Sequence, residues 1–375
     1  MPRHQFPQTR RTFLTGLTAL SAGAMAASVP FGGARGADLT IGFIYVGGRD
    51  DFGYNQAHAQ GADAVKKMAG VSVIEQENVP ETAAVEKTMA SMINLDAAPL
   101  LFPTSFGYYN PHILNMAPEH ADTTFMHCGG LWQEGHPENA HSYFGYIDEA
   151  QYLNGIVAGH ASKSKKLGFV AAKPIPQVLR NINAFTLGAQ SIDPEITTQV
   201  IFTGDWALPV KEAEATNSLA DQGADVVTMH VDSPKVVVET AAKRDMFVCG
   251  YHASQAPLAP DLYLTGAEWN WPKLYPEFVA DFQAGNAIPN MVRGGLRAGI
   301  VKTSDYGPAV SGKAAKRAEA VKSEFMSEEG FVIFKGPLKS NDGKTVIPEG
   351  TAYEQTAIEL EKMDYLVQGV IGSTS

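Results

Sequence analysis

The chain has 375 residues, 45% of them hydrophobic, and a net charge of −11. This length accommodates two domains of ordinary size. The acidic balance, without any basic stripe, argues against a nucleic-acid partner, because phosphate backbones are bound by clustered lysines and arginines.

The N-terminus has the pattern of an export signal. Arg10 and Arg11 form a twin-arginine pair, and the apolar run after them is too short and too weakly apolar for a membrane span. Small residues just before Ala37 predict cleavage there, so residues 1–36 are set aside as a twin-arginine signal peptide. No cysteine lies at the end of the signal to carry a lipid. We therefore expect a protein that is exported by the twin-arginine route and is free in the periplasm.

The first half of the mature chain alternates strands with helices. Leu39–Val46 is an apolar run that predicts a strand buried on both faces, and helical spacing of small and apolar residues begins near Asn55. Three further strands are predicted at Val71–Val79, Pro99–Phe102 and Thr123–Met126. Alternation of this kind requires a parallel sheet with right-handed crossovers.

The same alternation restarts near residue 145. Helical patterns again separate short apolar runs, which predict strands at Leu167–Ala171, Thr198–Phe202, Val226–Val231 and Phe247–Gly250. The chain therefore contains two similar α/β halves of about equal length.

The last third of the chain indicates a return to both halves. Its predicted elements are a strand at Asp261–Leu264, a helix at Lys273–Ala284, a strand-like run at Leu296–Val301, and a pairing of Phe331–Phe334 with Thr345–Ile347. We predict two Rossmann-like lobes with parallel sheets, joined by a multi-strand hinge. Lobe 1 comprises residues 38–144 plus about 265–295, and lobe 2 comprises residues 145–264 plus about 296–375. Cys128 and Cys249 then fall in different lobes, and we expect both to be unpaired.

Polar and aromatic side chains follow several predicted strands. Asp51, Tyr54 and Asn55 come after the first strand, and Phe106 comes after the third. Small ligands bind at the carboxyl edge of open α/β sheets, so these residues are candidates for a binding site. A purely structural alternative stays open, in which the turn caps a helix and the tyrosine fills a crevice.

Other motifs do not predict catalysis or metal binding. Residues 307–314 resemble a phosphate-binding loop, but Ala314 replaces the hydroxyl residue that would contact Mg²⁺, and Pro308 removes a backbone donor. The five histidines between residues 112 and 141 lack metal-ligand spacing, and the chain has no GxSxG turn. We predict no catalytic residue, no metal site and no cofactor.

Three segments resemble the basic membrane protein (BMP) family of type I periplasmic binding proteins. They are GYNQAHAQG at 53–61, YFGYIDEAQYLNGIVAG at 143–159 and RGGLRAGIVKTSDYGPAVS at 293–311. Members of this family are substrate-binding components of ABC transporters, and several bind purine nucleosides. The resemblance implies a type I periplasmic binding fold, a monomer that closes its lobes on a small molecule, and an ABC permease as partner.

The resemblance also implies an aromatic clamp. Carried over residue by residue, aromatic residues of the family fall on Tyr54 in one lobe, with Asn55 beside it, and on Trp206 in the other. Two such rings would hold a planar base from opposite sides, each stack contributing about 1 kcal/mol beyond its buried area.

Departures from the family indicate which ligand to expect. Family members that bind nucleosides grip the ribose with aspartates at the end of the fourth strand of each lobe. The corresponding residues here carry no carboxylate: His127, Cys128, Gly129, Tyr251 and His252. A family lysine is also replaced by the cluster Glu268–Trp271. These changes point to a bare nucleobase such as adenine, with Glu268 accepting from its N–H groups and either Trp269 or Trp271 covering one face.

Several alternatives stay open. The ligand of the same fold could be a purine nucleoside, or the protein could be an exported hydrolase of such a ligand. A sensor that presents its bound ligand to a membrane receptor would have the same sequence features. The cluster Glu268–Trp271 also has a structural interpretation as packing in the hinge.

Overall fold

The computed structural model describes residues 38–374, so the predicted signal peptide lies outside the described residues. The first elements are β1 (Leu39–Ile44), α1 (Tyr54–Val65), β2 (Val71–Gln76), α2 (Ala83–Asn94), β3 (Leu100–Pro103), α3 (Leu114–Glu119), β4 (Thr124–Cys128) and β5 (Ala140–Gly145). The next are α4 (Asp148–Ala161), β6 (Lys166–Ala171), α5 (Pro176–Gln190), β7 (Thr197–Phe202), α6 (Pro209–Asp221), β8 (Val226–His230), α7 (Lys235–Lys243), β9 (Phe247–His252) and β10 (Tyr263–Trp269). The last are α8 (Trp271–Ala284), β11 (Met291–Gly294), β12 (Val301–Thr303), α9 (Gly312–Met326), β13 (Phe334–Lys335), β14 (Leu338–Lys339), β15 (Thr345–Ile347), β16 (Ala352–Tyr353), α10 (Ile358–Glu361) and β17 (Val370–Ile371).

Two largely parallel sheets form the cores of the two lobes. The first sheet has the strand order β2-β1-β3-β4-β5-β11, and every pairing in it is parallel. The second has the order β17-β7-β6-β8-β9-β10-β12, in which only β10 and β12 pair antiparallel. The prediction of an α/β protein with two parallel sheets is confirmed.

The chain passes between the sheets three times among the described residues. It leaves the first sheet after β5, returns after β10 to form α8 and β11, and leaves again to form β12. The second and third passages are tied together by Asn270, whose backbone N–H donates to the Ile300 carbonyl at 2.8 Å. The amide of the Asn270 side chain donates to the Gly299 carbonyl, also at 2.8 Å. This bonded group is the hinge that a two-lobed protein needs in order to open and close.

Proline and glycine mark several helix ends as their chemistry requires. Helices α5, α6 and α8 each have a proline in the first turn, where its missing N–H costs nothing. Helix α8 ends at Gly285, which has a φ of 68°, a left-handed conformation that glycine adopts without strain.

Three local predictions were wrong. The strand predicted to end at Leu264 continues through Gly266 to Trp269, and a Cβ at Gly266 would lie 2.3 Å from the Tyr263 hydroxyl. The strand predicted at 296–301 is a turn closed by hydrogen bonds such as Gly299 N–H to Leu296 O at 3.0 Å. Finally, β15 pairs with β14, and not with the segment 331–334.

The two cysteines lie in different sheets, as predicted. Cys128 ends β4 and Cys249 lies in β9, and both are buried and unpaired.

Residues 265–269 were predicted to belong to lobe 1, but they lie in β10, which is a strand of the second sheet. None of the helices within residues 38–374 combines the length and apolar character required to span a membrane.

Candidate functional site

A cavity lies between the carboxyl edges of the two sheets. It holds about 430 Å³ of empty space, part of it open to solvent. From the first lobe it is lined by Tyr54, Ser105, Phe106, Cys128, Gly129 and Phe144. From the second lobe it is lined by Ile175, Gln177, Trp206, His230, Asp232, Tyr251, His252 and Trp269. The structure thus brings together eight of the eleven candidate residues: Tyr54, Phe106, Cys128, Gly129, Trp206, Tyr251, His252 and Trp269.

Trp206 and Phe106 face each other across the cleft. Their ring centroids are 6.5 Å apart at an interplanar angle of 64°. The Lys173 ammonium lies 4.9 Å from the centroid of the Trp206 ring and covers one of its faces. A ligand ring that stacks on Trp206 would therefore occupy the opposite face.

Tyr54 borders the cavity with its polar end already bonded. Its hydroxyl donates to the Thr104 carbonyl at 2.6 Å, and its ring meets His252 of the other lobe edge-on at 5.2 Å. The fixed hydroxyl leaves the aromatic ring as the part of Tyr54 that can contact a ligand.

Asp51 and Asn55 do not reach the cavity. The Asp51 carboxylate accepts from the backbone N–H groups of Gly53, Asn55 and Gln56 at 2.8–3.1 Å, which caps the first turn of α1. It also accepts from the Asn55 amide at 2.8 Å, and the Asn55 carbonyl oxygen accepts from Gly47 N–H at 3.2 Å. Both side chains therefore shape the loop that positions Tyr54, as the structural interpretation of this turn proposed.

Glu268 also lies outside the cavity, contrary to its predicted role. It faces Lys302 in the antiparallel register of β10 and β12, and the two form an ion pair at 3.1 Å. Its other oxygen accepts a hydrogen bond from the Ser304 hydroxyl. Both carboxylate oxygens of Glu268 therefore already have protein partners.

Asp232 supplies the carboxyl group of the cavity. It lies two residues beyond the end of β8, the third strand of the second lobe, whereas Tyr251 and His252, the residues predicted in that lobe, lie at the end of the fourth strand. The rule that ligands bind at the carboxyl edge of the sheet applies equally to this strand and would have identified it. Burial, reinforced by the negative charges of Asp51 and Glu81, raises the pKa of Asp232 well above its usual range.

A hydrogen-bond network fixes the orientation of the Tyr251 hydroxyl. The Asn181 amide donates to His230 Nδ1 at 2.9 Å and to the Tyr251 oxygen at 2.7 Å. Burial lowers the pKa of His230 to about 3, so this ring is neutral and carries its proton on Nε2. The Tyr251 oxygen thus accepts from the Asn181 amide and also lies 3.5 Å from His230 Nε2.

Trp269 and Trp271 form a stacked pair across the second passage between the lobes. Their centroids are 4.8 Å apart at 13°, with Trp269 in the cavity wall and Trp271 buried at the start of α8. The Trp269 indole N–H donates to His252 Nδ1 at 2.8 Å. Trp269 thus lies in the cavity wall, as predicted, whereas Trp271 packs in the hinge, as the structural alternative proposed.

The lobes are also in contact beside the second passage between them, where Tyr54 lies next to His58 and His58 stacks on Trp271. Tyr54 N–H donates to the Asp232 carbonyl at 2.9 Å, and the Gln255 amide donates to the Phe52 carbonyl at 2.6 Å. These bonds join the first lobe to the second near the hinge, and the rings of Phe106 and Trp206 meet across the cleft, so the structure is of a closed form. Within residues 38–374, no group of three or more histidine, cysteine or acidic side chains has an arrangement that could hold a metal ion.

Comparisons with known proteins agree with this geometry. Residues 39–333 match the family described as ABC transporter substrate-binding protein PnrA-like. The chain is 31% identical over 352 residues to a purine-binding protein of Brucella abortus (strain 2308), covering 92% of this chain and 97% of that protein. It is 30% identical over 298 residues to a Haloferax volcanii protein provisionally named an ABC transporter glucose-binding protein, covering 80% and 75%.

A solved structure shares the fold. An ABC transporter solute-binding protein from Aeropyrum pernix K1 superposes with a TM-score of 0.68 at 20% identity, covering 80% of this chain and 93% of that one. The predicted type I periplasmic binding fold is confirmed, and the chain belongs to the PnrA-like (Bmp) family of ABC transporter substrate-binding proteins.

Proposed function

We propose that this protein captures a purine nucleobase, with adenine as the preferred ligand, between its two lobes and delivers it to an ABC permease. The observation that carries the proposal is the composition of the cavity: aromatic rings from both lobes surround a small set of polar groups. Flat rings favour a planar aromatic ligand, and the polar groups fix its orientation. The relative named a purine-binding protein supports the same ligand class.

We also propose where the protein works and in which oligomeric state. It acts as a periplasmic monomer, exported by the twin-arginine route, and performs no chemistry on its ligand. In support, the cysteine of the cavity is a poor nucleophile, because burial raises the pKa of the Cys128 thiol to about 12.

A purine nucleoside is the second candidate, and Asp232 is the observation that favours it. A carboxyl group in the cavity can accept from ribose hydroxyls as well as from the N–H groups of a base. However, Asp232 is the only acidic residue among those that line the cavity, and it comes from a single lobe. The cavity therefore lacks the pair of acidic residues, one from each lobe, with which nucleoside-binding relatives are expected to hold a ribose, so we favour the base.

The proposal is tested by thermal shift and isothermal titration of the mature protein with adenine, adenosine, glucose and amino acids. A ligand at a hundredfold excess over its Kd stabilises the folded protein by about 2.7 kcal/mol. We expect the largest shift with adenine and a smaller one with adenosine. A preference for adenosine would replace the base with the nucleoside, and a response to glucose alone would refute purine binding.

A further inference from the structure

The Asp232 side chain is largely buried, and its carboxyl group borders the cavity without a protein partner. The residue is 6% exposed, and within the described part of the chain no hydrogen bond or ion pair reaches its carboxyl oxygens. By contrast, buried Asp148 is paired with Arg180 at 2.8 Å. A buried polar group without a partner is costly unless a ligand or water satisfies it. Because Asp232 also lines the cavity, the ligand is the natural partner.

The surroundings of Asp232 oppose its ionisation. The nearby charges are three acids, Asp51, Glu81 and Glu212, and one base, Lys173. Lys173 is already engaged by Asp205 at 2.8 Å. The other titratable groups of the cavity are uncharged, because burial lowers the pKa of the histidines and raises the pKa of the tyrosines and the thiol: His230, His252, Tyr54, Tyr251 and Cys128.

We propose that Asp232 binds the ligand as a neutral carboxylic acid and selects a heterocycle edge on which a ring nitrogen acceptor stands beside an amino donor. Adenine presents such an edge. The acid O–H donates to the ring nitrogen, while its C=O accepts from the adjacent amino N–H. A pair of adjacent donors would instead require the ionised carboxylate. This inference rests on the proposed purine ligand and adds the residue and the protonation state that select it.

Two substitutions separate the acid from the carboxylate. Asp232→Asn introduces an amide, which has the shape of the neutral acid and also offers one donor beside one acceptor. Asp232→Ala removes both groups. We expect Asp232→Ala to weaken adenine binding roughly 10- to 100-fold, and Asp232→Asn to rescue most of that loss. Asp261→Asn, at an exposed position outside the cavity, serves as the matched control.

Binding is measured by isothermal titration with adenine and with 6-dimethylaminopurine, which lacks the amino N–H, at pH 6, 7.5 and 9. The wild-type protein should lose adenine affinity at the highest pH, since the acid must keep its proton, and Asp232→Asn should not. The dimethyl analogue should bind the wild type weakly. Thermal unfolding confirms that each variant is folded.

Two results would overturn the inference. If Asp232→Asn binds adenine as weakly as Asp232→Ala, the ionised carboxylate is the recognising form. If Asp232→Ala binds adenine like the wild type, the residue does not contact the ligand, although the proposed purine function would survive. Failure of the wild type to bind any purine would reject that function as well, so the two failures are distinguishable.

Discussion

Trp206 is the residue on which ligand stacking depends most directly. Its indole is 9% exposed, borders the cavity, and is covered on one face by Lys173. The Lys173 cation is attracted to the face of the indole ring by a cation–π interaction, which also restrains the plane of the ring. Tyr54 contributes from the other lobe with a hydroxyl that is already bonded to Thr104. The two residues therefore present rigid rings that need little ordering when a ligand arrives.

Replacing Trp206 with alanine should weaken purine binding roughly tenfold or more, because both the stacking and the buried area are lost. Trp206→Phe keeps a flat face and should lose less. Titration calorimetry on both variants, with circular dichroism as a check of folding, measures the difference. Equal affinities for the wild type and Trp206→Ala would remove stacking on this residue from the mechanism.

At the scale of elements, helix α4 of the second lobe is hydrogen-bonded to the third passage between the lobes, the segment that leads from β11 to β12. Glu149 lies in the first turn of α4, is 7% exposed, and accepts from Leu296 N–H at 2.7 Å. Burial raises the pKa of Glu149 from 4.5 to about 7. The folded protein therefore binds a proton that the unfolded chain releases between these values. Its contribution to stability is highest at low pH and falls as the pH rises toward 7.

Glu149→Gln should make the protein more stable than the wild type at pH 8, by up to about 3 kcal/mol, and should make little difference near pH 4.5. The amide oxygen still accepts from Leu296, but the bond that Glu149 Oε1 accepts from the Gln355 amide at 3.2 Å is lost, which offsets part of the gain from removing the buried charge. Urea unfolding at pH 5 and pH 8 measures the effect, with exposed Glu349→Gln as the control. A stability difference that does not change with pH would show that Glu149 is not protonated on folding.

The sequence predicts elements well where the information is local. Runs of apolar residues were enough to locate β1 to β4 and β6 to β9, because each pattern lies within one segment, whereas β5, β11 and β17 were not predicted. The extent of β10 was not predictable in this way. A glycine such as Gly266 usually predicts the end of a strand. In the structure it allows Tyr263 and Ser304 to pack closely against the backbone. Pairing of β14 with β15 likewise depends on contacts between separate segments.

The candidate site shows the same division. Residues at strand ends were predicted to meet in one place, because the carboxyl ends of parallel strands share an edge. What the sequence does not reveal is whether a polar side chain already has a protein partner. Asp51 and Glu268 were plausible ligand residues, and each is bonded elsewhere. Asp232 has no such partner, which only the structure makes visible.

At the scale of the whole molecule, the closed form is held by contacts between the lobes as well as by any ligand. Lys173, in the second lobe, lies 2.8 Å from Asp205 and 3.9 Å from Glu81 of the first lobe. It is also the cation that covers Trp206. One side chain therefore joins the lobe-to-lobe contact to the stacking surface, and its loss should affect ligand release.

Lys173→Met should increase the ligand dissociation rate, by up to roughly fivefold, since a partly exposed ion pair contributes at most about 1 kcal/mol. Stopped-flow fluorescence at low and high salt measures the rate, and the wild type should approach the variant as salt rises. Lys344→Met, in an exposed pair with Asp342, is the control. A variant that releases ligand at the wild-type rate at low salt would show that this contact does not slow opening.

The three passages of the chain between the lobes also set the order in which the protein can be assembled during synthesis. Strand β11 is the edge of the first sheet, yet it is translated after all of β6 to β10 of the second. At 5–20 residues per second, the ribosome needs roughly 7 to 30 seconds to travel from β5 to β11. The first lobe must wait through this interval with an unpaired strand exposed, so the two lobes mature together rather than in succession. If the protein is exported after folding, as the predicted twin-arginine route requires, this interval passes in the cytoplasm, where chaperones can cover the exposed strand.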